Sequence, residues 1–259
     1  MKAIFFDIDG TLLDEKNHIP QSTREAIKRL RQNGNKAYLC SGRTRGFIIN
    51  EDLLSMGFDG IVGGCGTYVE MDGKPVFNRL INPDEFTEVL AGIRKAGFRP
   101  ILEGPEFLYM DDDEFGFEDP YGQRLRRELE DKMKPITGSV LEINKFSVAT
   151  EDSDLVGGRQ FLIEHGYDLI IHNDYVMEVI PAGFSKGTGL ELVCKELGIQ
   201  VSDTIAFGDS INDKSMIEAA GLGVVMGNGT DAIKQYADVI TESLHEDGIY
   251  NELVRRGVI

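Results

Sequence analysis

Short apolar runs alternate with helical patterns through the first and last thirds of this 259-residue chain, and this alternation constrains the fold most strongly. The apolar run Ala3–Ile8 predicts a buried strand, and Ala37–Cys40 predicts a second one. Between them, a capping-box spacing and a later Gly34 predict a helix over about 23–33. Because β-α-β alternation builds parallel sheets with right-handed crossovers, we expect an α/β protein with a Rossmann-like three-layer core.

The same alternation continues beyond the second strand and resumes near Lys186. It predicts a helix ending near Met56, helices over 187–197, 214–220 and 231–236, and strands over Gly60–Gly63, Thr204–Phe207, Gly223–Met226 and Asp238–Thr241. These elements belong to the same predicted parallel sheet and to the helices that cover it.

The middle third of the chain follows a different pattern. Asn82 followed by Pro83 predicts a helix start, with the asparagine as its cap. Two longer alternating runs, Leu141–Ala149 and Asp168–Ile180, suit a half-exposed antiparallel sheet with helices on one face. We therefore expect an α+β domain inserted into the α/β core.

Prolines near both ends of the middle third predict the linkers. Pro83 stands at its beginning, and Pro181-Ala182-Gly183 stands at its end. We therefore expect a core made of residues 1–82 and 184–259, interrupted by an inserted domain over 83–183.

Two further features of the middle third have simple interpretations. The acidic run Asp111–Glu114 predicts a solvated loop, because the glycine and the spacing of an EF-hand calcium loop are absent. Lys145 interrupts an apolar strand and could face a substrate, although exposure on the strand face is the simpler interpretation. Neither feature predicts a site without further support.

Composition limits the partners and the location of the protein. The 44 acidic and 27 basic residues give a net charge of −17, which opposes binding to nucleic acid or to an anionic membrane. No apolar run reaches the ~18 residues that a membrane span needs, and the N-terminal run is too short for a signal peptide. Three widely separated cysteines fit a reducing compartment, so we expect a cytoplasmic protein.

Two carboxylates end the first predicted strand, within the segment Asp7-Ile8-Asp9-Gly10-Thr11. An apolar strand ends in this way only where something compensates for the buried charge. A turn with aspartate caps is the alternative interpretation. Ligands of open parallel sheets bind beyond the carboxyl ends of the strands, which is where these residues fall.

Other predicted strands end in complementary polar groups. Cys40 leads into Ser41-Gly42, whose hydroxyl and N–H groups can bind an oxyanion at a helix start. Four carboxylates that meet at one sheet edge need protons or a cation, and oxygen ligands select Mg²⁺ first. With lysine and N–H donors, this set is suited to phosphoryl transfer, and its members are Asp7, Asp9, Asp209, Asp213, Ser41, Asn212 and Lys186.

Four segments resemble the motifs of haloacid dehalogenase (HAD) superfamily phosphatases, in the same order: Asp7–Thr11, Ser41–Arg43, Lys186-Gly187 and Gly208–Asp213. The insertion between the second and third motifs resembles the type II cap class of this superfamily. The C-terminal third is similar to Cof-type sugar-phosphate phosphatases, through the segments 208–216, 226–228 and 246–248.

The resemblance implies roles for the acidic residues. Asp7 would be the nucleophile and a Mg²⁺ ligand, and Asp9 would ligate Mg²⁺ through its carbonyl and act as the acid and base. Asp209 would be the other protein ligand of Mg²⁺. Thr11 and Asp213 would orient these ligands without binding the metal themselves.

The resemblance also implies a phosphate cradle. Lys186 would be catalytic as well, because its charge makes attack by Asp7 on an anion possible. The groups that would hold the phosphate are the N–H of Ile8, together with Ser41, Gly42, Lys186 and Asn212.

We therefore expect a Mg²⁺-dependent phosphatase that acts on a small phosphorylated metabolite, such as a sugar phosphate, through an aspartyl-phosphate. One alternative is a phosphomutase that uses the same site, and another is a regulator that binds a phosphometabolite without hydrolysing it. One loop departs from the family pattern: Gly63–Thr67 contains Cys65 where relatives often carry Asn-Gly-Ala, and we interpret this thiol as non-catalytic.

Overall fold

Residues 1–115, 119–171 and 175–259 are described by the structure, a computed structural model. The strands are β1 (Ala3–Phe6), β2 (Lys36–Cys40), β3 (Gly60–Gly63), β4 (Tyr68–Met71), β5 (Lys74–Asn78), β6 (Arg99–Glu103), β7 (Leu108–Tyr109), β8 (Met133–Lys134), β9 (Lys145–Ala149), β10 (Tyr167–Ile171), β11 (Val176–Pro181), β12 (Thr204–Gly208), β13 (Gly223–Val225) and β14 (Val239–Ile240). The α-helices are α1 (Gln21–Gln32), α2 (Glu51–Leu54), α3 (Pro83–Lys95), α4 (Pro120–Leu129), α5 (Leu155–Glu164), α6 (Lys186–Leu197), α7 (Lys214–Ala219), α8 (Asp231–Lys234) and α9 (Gly248–Arg255).

The chain divides into two units, and the first contains Met1–Gly42, Asn50–Phe77 and Ser185–Ile259. Its sheet has the order β14-β13-β12-β1-β2-β3-β4-β5, with parallel pairing from β14 to β3 and an antiparallel β4. Strand β1 lies in the middle of this sheet and is fully buried, as a strand covered on both faces must be. The expected α/β class with a parallel core sheet is confirmed.

Helices pack on the central strands of the first unit. The apolar side chains of α6 and α7 form one buried cluster with Ala3 and Phe5 of β1. The next residue, Phe6, stacks on Phe207 of β12 with ring centroids 5.3 Å apart. Because successive strand side chains alternate between faces, this packing fixes the register of β1 and with it the place where the strand ends.

The second unit contains Arg43–Ile49 and Asn78–Phe184. Its sheet has the order β10-β11-β9-β6-β7-β8 and is antiparallel except between β7 and β8. Helices α3 and α5 contact each other, and their apolar residues share a core with the sheet. The expected combination of an antiparallel sheet with helices is therefore confirmed for the described part of this unit.

Helices cover both faces of this sheet, whereas the alternating runs predicted helices on one face only. Leu125 and Leu129 of α4 pack with Ile101 and Ala149 in a separate buried cluster. Ile101 neighbours Leu102, which belongs to the α3 and α5 core, so Ile101 points to the opposite face. The face of the sheet that contains Ile101 is therefore also apolar, and α4 covers it.

Several predicted element ends in the chain are wrong for identifiable reasons. The helix expected to end near Met56 is a short 3₁₀ turn at Arg45–Phe47 followed by α2, whose cap is Asn50. The run from Leu141 to Ala149 is a strand only from Lys145, because Asn144 donates to Asn78 Oδ1 and to the Arg79 carbonyl.

The run Asp168–Ile180 forms two paired strands, β10 and β11, rather than one continuous strand. Residues 172–174 of that run lie outside the described part of the chain.

The acidic run Asp111–Glu114 is anchored rather than fully solvated. Asp111 is buried, accepts hydrogen bonds from the N–H and hydroxyl of Thr137, and pairs with Arg94 at 3.0 Å. Glu114 pairs with the same arginine. A cation on α3 and a loop hydroxyl compensate for this charge, and neither partner is near it in the sequence.

Lys145 is buried, which corrects the expectation of strand-face exposure. Its ammonium lies 3.0 Å from Glu103 and 3.0 Å from Glu178, and these carboxylates offset its charge.

Within the described ranges, no helix has the length and apolar character to cross a membrane.

Candidate active site

A tight turn after β1 carries the first two predicted site residues. Asp7 is buried and donates its backbone N–H to the Phe207 carbonyl at 2.9 Å, which holds it at the edge of the sheet. The Ile8 carbonyl then accepts the N–H groups of Leu12 and Leu13. This turn ends the strand at Phe6, two residues earlier than the sequence indicated.

Gly10 is required at the centre of this turn. Its φ is +78°, and a Cβ placed there would lie 2.3 Å from Asp209 Oδ2. Thr11 donates its hydroxyl to Asp209 Oδ1 at 3.2 Å. The turn after β1 and the loop after β12 therefore fit together directly, and only glycine permits the contact.

Asp213 is fully buried and ties the second loop together. Its Oδ2 accepts the backbone N–H groups of Asp209 at 2.9 Å and Ser210 at 3.0 Å. Its Oδ1 accepts from Lys186 Nζ at 2.6 Å. A Cβ on Gly208 would come within 2.6 Å of the Asp213 side chain, so this fold of the loop also needs glycine.

Lys186 lies at the centre of the site. It is the first residue of α6, whose cap is Ser185, and its side chain is buried. Its ammonium donates to Asp7 Oδ1 at 2.7 Å, to Asp213 Oδ1 at 2.6 Å and to Asn212 Oδ1 at 3.3 Å. One cation thus bridges two separate segments of the chain, the turn after β1 and the loop after β12.

The carboxylates of the site outweigh its lysine. Burial, with the nearby charges of Asp213 and Asp209, raises the pKa of Asp7 well above its usual value, against the opposing effect of Lys186. Burial and Asp213 raise the pKa of Asp209 to about 7. Burial opposes the charge on Lys186, but Asp213 and Asp7 raise its pKa well above normal, so it stays an ammonium. The site favours a further cation.

The donor set fits a hard divalent cation. Carboxylate oxygens of Asp7, Asp209 and Asp213 lie within 4.8 Å of one another. Both oxygens of Asp213 already accept hydrogen bonds, whereas Asp7 Oδ2 and Asp209 Oδ2 accept none from the described residues. These two oxygens are therefore the available ligands, and an all-oxygen set suits Mg²⁺.

The remaining predicted site residues differ in their burial and in their contacts with this cluster. Asn212 Oδ1 accepts from Lys186 and from Ser210, which leaves its amide N–H₂ to donate elsewhere. Ser41 and Gly42 are buried after β2, where Ser41 donates its N–H to the Val62 carbonyl. Asp9 is exposed, and its side chain is not one of the three clustered carboxylates.

The loop that departs from the expected Asn-Gly-Ala pattern supports the Ser41 loop. Cys65 is buried with a φ of +54° and donates its N–H to the Ser41 carbonyl at 3.1 Å. A Cβ on Gly66 would lie 2.2 Å from the Ser185 carbonyl. The two residues fit this loop between the Ser41 segment and the start of α6.

Asn228 is a further neighbour of the site, and the sequence predicted no role for it. It donates to the Gly10 carbonyl at 2.8 Å and accepts the Leu244 N–H at 2.9 Å. It lies in the loop after β13, and Thr230 of the same loop donates its N–H to the Asp209 carbonyl. The signal that identified the other loops, a polar residue at a strand end, also applies here.

Comparison with known proteins gives consistent matches over nearly the whole chain. The sequence pattern of the family described as haloacid dehalogenase-like hydrolase matches residues 4–253. The chain is 28% identical over 261 residues to "Putative phosphatase YkrA" of Bacillus subtilis, covering 100% of this chain and 98% of that one. It is 26% identical over 259 residues to a 5-amino-6-(5-phospho-D-ribitylamino)uracil phosphatase of the same organism, covering 95% and 94%.

Solved structures give the same result. The HAD subclass IIB sugar phosphatase BT4131 matches with a TM-score of 0.83 and 26% identity, covering 100% of both chains. The HAD phosphatase BT1666 of Bacteroides thetaiotaomicron matches with a TM-score of 0.83 and 25% identity, covering 100% of this chain and 96% of that one.

Proposed function

Since the chain belongs to the haloacid dehalogenase-like hydrolase family and is a Cof-type phosphatase within it, we propose that it hydrolyses small phosphorylated metabolites with Mg²⁺ through an aspartyl-phosphate. The observation that carries the proposal is the contact of Lys186 with Asp7 and Asp213, beside two carboxylate oxygens that accept no hydrogen bond from the described residues.

The metal would be held by the side chains of Asp7 and Asp209 and by the carbonyl of Asp9. Bound there, Mg²⁺ supplies positive charge that offsets the charges of the phosphate and the carboxylates. Asp213 would not need to coordinate it directly, because its oxygens hold Lys186 and the backbone of the Asp209 loop. Its role would be to fix the positions of the groups that do bind.

Asp7 would attack phosphorus as the nucleophile. Lys186 donates to its Oδ1 at 2.7 Å, which orients the carboxylate for formation of the new P–O bond. The ester P–O bond breaks as Asp9 gives its proton to the leaving alkoxide. The Asp9 carboxylate then takes a proton from water, which attacks phosphorus and releases Asp7 and inorganic phosphate.

The phosphate oxygens would be held by donors around this pair. The carbonyl of Asn212 accepts from Lys186 and Ser210, so its N–H₂ would donate to the phosphate. Further donors would be the Ile8 N–H, the Ser41 hydroxyl, the Gly42 N–H and Lys186. Fixed donors of this kind stabilise the charge that develops in phosphoryl transfer.

A sugar phosphate is the substrate class that we propose, supported by the likeness to the sugar phosphatase BT4131. The second unit, which resembles the cap class of the family, would select the alcohol of the substrate. The net charge of −17 supports a small substrate over a nucleic acid. A cytoplasmic location stays a prediction from the cysteine content.

The test is phosphate release from a panel of phosphorylated metabolites, with and without Mg²⁺. We expect release that EDTA abolishes and that Asp7→Asn removes. The exposed Asp52, which pairs with Arg24 at 3.4 Å, provides the matched control Asp52→Asn, and it should act normally. Full activity of Asp7→Asn would contradict the proposal, and isomeric phosphate esters as products would indicate a mutase.

A further inference from the structure

A basic cleft in the first unit lies away from the candidate active site. Its volume is about 510 Å³, and its walls include Lys28 and Arg31 of α1, Asn35 and Lys36 in the segment that enters β2, and Asp59 just before β3. We call it the Lys36 cleft. Its volume lies in the range of roughly 300–1,000 Å³ that is typical of small-molecule sites.

Strand β2 separates the cleft from the expected phosphate loop. Lys36 is the first residue of this strand, and Ser41 directly follows its last residue. Because a strand rises about 3.3 Å per residue, the two residues are roughly 16 Å apart along it. The Lys36 cleft is therefore at the opposite edge of the sheet from Ser41, and it is a site of its own.

The charge of the cleft is opposite to that of the whole protein. Of the described residues that line it, three are cations and one, Asp59, is a carboxylate. The net charge of the chain is −17. Cations that are gathered in one place repel each other, and an anion relieves this repulsion. The cleft therefore favours a ligand with negative charge.

Asp59 holds two of the cations in place. It is 6% exposed, and its Oδ2 accepts from Arg31 Nε at 3.1 Å and from the Ala37 N–H at 3.0 Å, while its Oδ1 accepts from Lys36 Nζ at 2.9 Å. Burial alone would raise the pKa of Asp59, but these hydrogen bonds lower it below its usual value, so the carboxylate stays charged. One fixed negative charge thus orients two positive charges and neutralises only one of them.

The side chains of the cleft keep N–H groups for a ligand. Lys36 Nζ has three N–H donors and uses one within the protein, and Arg31 Nη1 donates to none of the described residues. Lys28 is exposed and forms no ion pair within the described ranges. Asn35 accepts the Lys2 N–H with its side-chain oxygen, which leaves its N–H₂ to donate. These four side chains offer donors, which suits an oxyanion.

A phosphate monoester matches these donors in charge and in size. Its phosphate group carries nearly two negative charges at neutral pH, and the cleft has two more cations than carboxylates. Guanidinium and ammonium groups are the usual partners of phosphate oxygens. The cleft is much larger than a phosphate group, so a ligand that fills it has an organic part as well. The half-buried Met56 offers apolar surface to that part.

We propose that the Lys36 cleft is a second binding site of the first unit and holds a small molecule that bears a phosphate monoester group. Arg31 and Lys36 would hold the phosphate, and Lys28 would add a third positive charge. The inference goes beyond the proposed function and does not depend on it, because no residue of the cleft takes part in the proposed phosphoryl transfer.

The experiment is a binding titration of the full chain in EDTA, so that no Mg²⁺ draws phosphate to the carboxylates of the candidate active site. The probes are ribose 5-phosphate, inorganic phosphate and unphosphorylated ribose. The readout is the NMR chemical shift of the backbone amides of Gly34 and Asn35, which line the cleft.

The variants are Lys36→Gln and Lys28→Gln, and Lys195→Gln is the matched control. Lys28 and Lys195 are both exposed and both lie in the second half of a 12-residue helix of the first unit. Each of the three substitutions removes one positive charge, but Lys195 does not line the cleft.

Ribose 5-phosphate should shift both amides in a saturable way, with a Kd on the order of 1 mM or lower. Inorganic phosphate should bind more weakly because it leaves much of the cleft unfilled, and ribose should have no effect. Lys36→Gln should raise the Kd roughly tenfold, because a charge-assisted hydrogen bond is lost. Lys28→Gln should raise it about two- to fivefold and Lys195→Gln by less than about 1.5-fold.

Three results would overturn the inference. No saturable shift would mean that the cations near the carboxyl end of α1 only offset the helix dipole. Equal Kd values in the three variants would place the ligand outside the cleft. Equal binding of inorganic phosphate and ribose 5-phosphate would assign the site to the free ion instead of a monoester.

The exposed variant keeps the test decisive if Lys36→Gln does not fold. Lys28 has no ion pair among the described residues, so Lys28→Gln should fold as the wild type does. Its Kd for ribose 5-phosphate, compared with that of Lys195→Gln, then decides. Because Mg²⁺ is absent throughout, a protein that hydrolyses no phosphate ester could still show this binding.

Discussion

Each unit of this protein buries one lysine between two carboxylates, but the two arrangements differ in what they leave unbonded. Lys186 lies 2.7 Å from Asp7 and 2.6 Å from Asp213, on loops at the ends of strands. Lys145 lies 3.0 Å from both Glu103 and Glu178, on the face of a sheet. The first arrangement leaves two carboxylate oxygens to bind a cation, and the second leaves one oxygen that needs a donor.

The difference shows that a buried ion pair does not define a function by itself. Burial and mutual repulsion raise the pKa of Asp7 and Asp209, so the first cluster gains when a cation binds. In the second cluster a single lysine bridges its carboxylates within a regular sheet. Glu103 Oε2 of this cluster has no partner among the described residues and needs a hydrogen-bond donor rather than a cation.

The largest expected effect separates the two lysines. Lys186→Met should lower kcat/KM for phenyl phosphate by at least about a thousandfold, because Asp7 loses its orienting cation and the phosphate loses a donor. Lys145→Met should lower it by less than about tenfold, since that lysine pairs with Glu103 and Glu178 of the second unit.

Both lysine variants should be destabilised, by about 3–5 kcal/mol, because each leaves buried carboxylates unpaired. Calorimetry of the metal-free proteins checks this expectation, with Lys214→Met, at a half-exposed lysine, as the control. Equal loss of aryl phosphatase activity in the two variants would erase the distinction between the clusters.

Two glycines with positive φ, one in each unit, test whether the close packing around Gly10 matters for the site. Gly10→Ala should cost about 3 kcal/mol or more and weaken Mg²⁺ binding, because the new methyl group would meet Asp209 Oδ2 at 2.3 Å. Gly138→Ala, in the second unit, has a φ of +83° but nothing within 4 Å, so only the backbone cost of about 1–2 kcal/mol is expected.

Thermal unfolding and Mg²⁺ titration of both glycine variants provide the measurement. If Gly10→Ala bound Mg²⁺ as well as Gly138→Ala, the close approach of Gly10 to Asp209 would not matter for the metal.

The pH dependence of Mg²⁺ binding sharpens the contrast in charge. Asp209 has its pKa raised from 3.8 to about 7, so the metal-free folded protein holds this proton more tightly than the unfolded chain. Raising the pH from 4 to 7 should therefore lower the stability of the metal-free protein. Mg²⁺ needs the deprotonated carboxylate, so its affinity should fall by up to about tenfold per pH unit below pH 7.

Isothermal titration from pH 5.5 to 8 checks this dependence. Glu103→Gln should retain it, whereas Asp209→Asn should weaken Mg²⁺ binding and flatten the profile. A flat profile in the wild type would contradict the charge balance described for the first cluster.

The smallest expected effects concern two asparagines that join segments of each unit. Asn228→Ala removes hydrogen bonds to Gly10 and Leu244, so kcat should fall by roughly three- to tenfold while the melting temperature changes little. Asn144 is fully buried and joins β9 to Asn78 and Arg79, so Asn144→Ala should instead be destabilised by about 2 kcal/mol. A large loss of stability with unchanged kcat in Asn228→Ala, or an unchanged stability in Asn144→Ala, would contradict the roles given to these residues.

The acidic part of the first cluster could be anticipated from the sequence because its carboxylates follow strands of the core sheet, and Lys186 could be anticipated because it begins a helix after the linker. Gly60–Gly63 appears as predicted, and the strands at Ala37–Cys40 and Thr204–Phe207 are each correct to within one residue. Since the carboxyl ends of parallel strands meet at one edge, the residues after each strand can be assigned to a common site without knowing the register.

The second cluster could not be anticipated because it depends on register. Glu103, Lys145 and Glu178 are brought together only when β6, β9 and β11 pair in one particular alignment. A shift of one residue would point Lys145 to the other face, and nothing near it in the sequence fixes the alignment. Lys145 therefore had exposure as its simplest interpretation. The anchoring of Asp111 was missed because its partners, Arg94 on α3 and Thr137 in a loop, are distant from it in the sequence.

The central claim, that Asp7 carries the phosphoryl group, can be tested directly by trapping it. Wild-type protein and Asp9→Asn would be mixed with Mg²⁺ and phenyl phosphate, quenched in acid and reduced with borohydride, which converts an aspartyl-phosphate to homoserine. Peptide mass spectrometry should find homoserine at position 7, more of it in Asp9→Asn because hydrolysis is slowed. Homoserine at another aspartate, or turnover with none at position 7, would contradict the account.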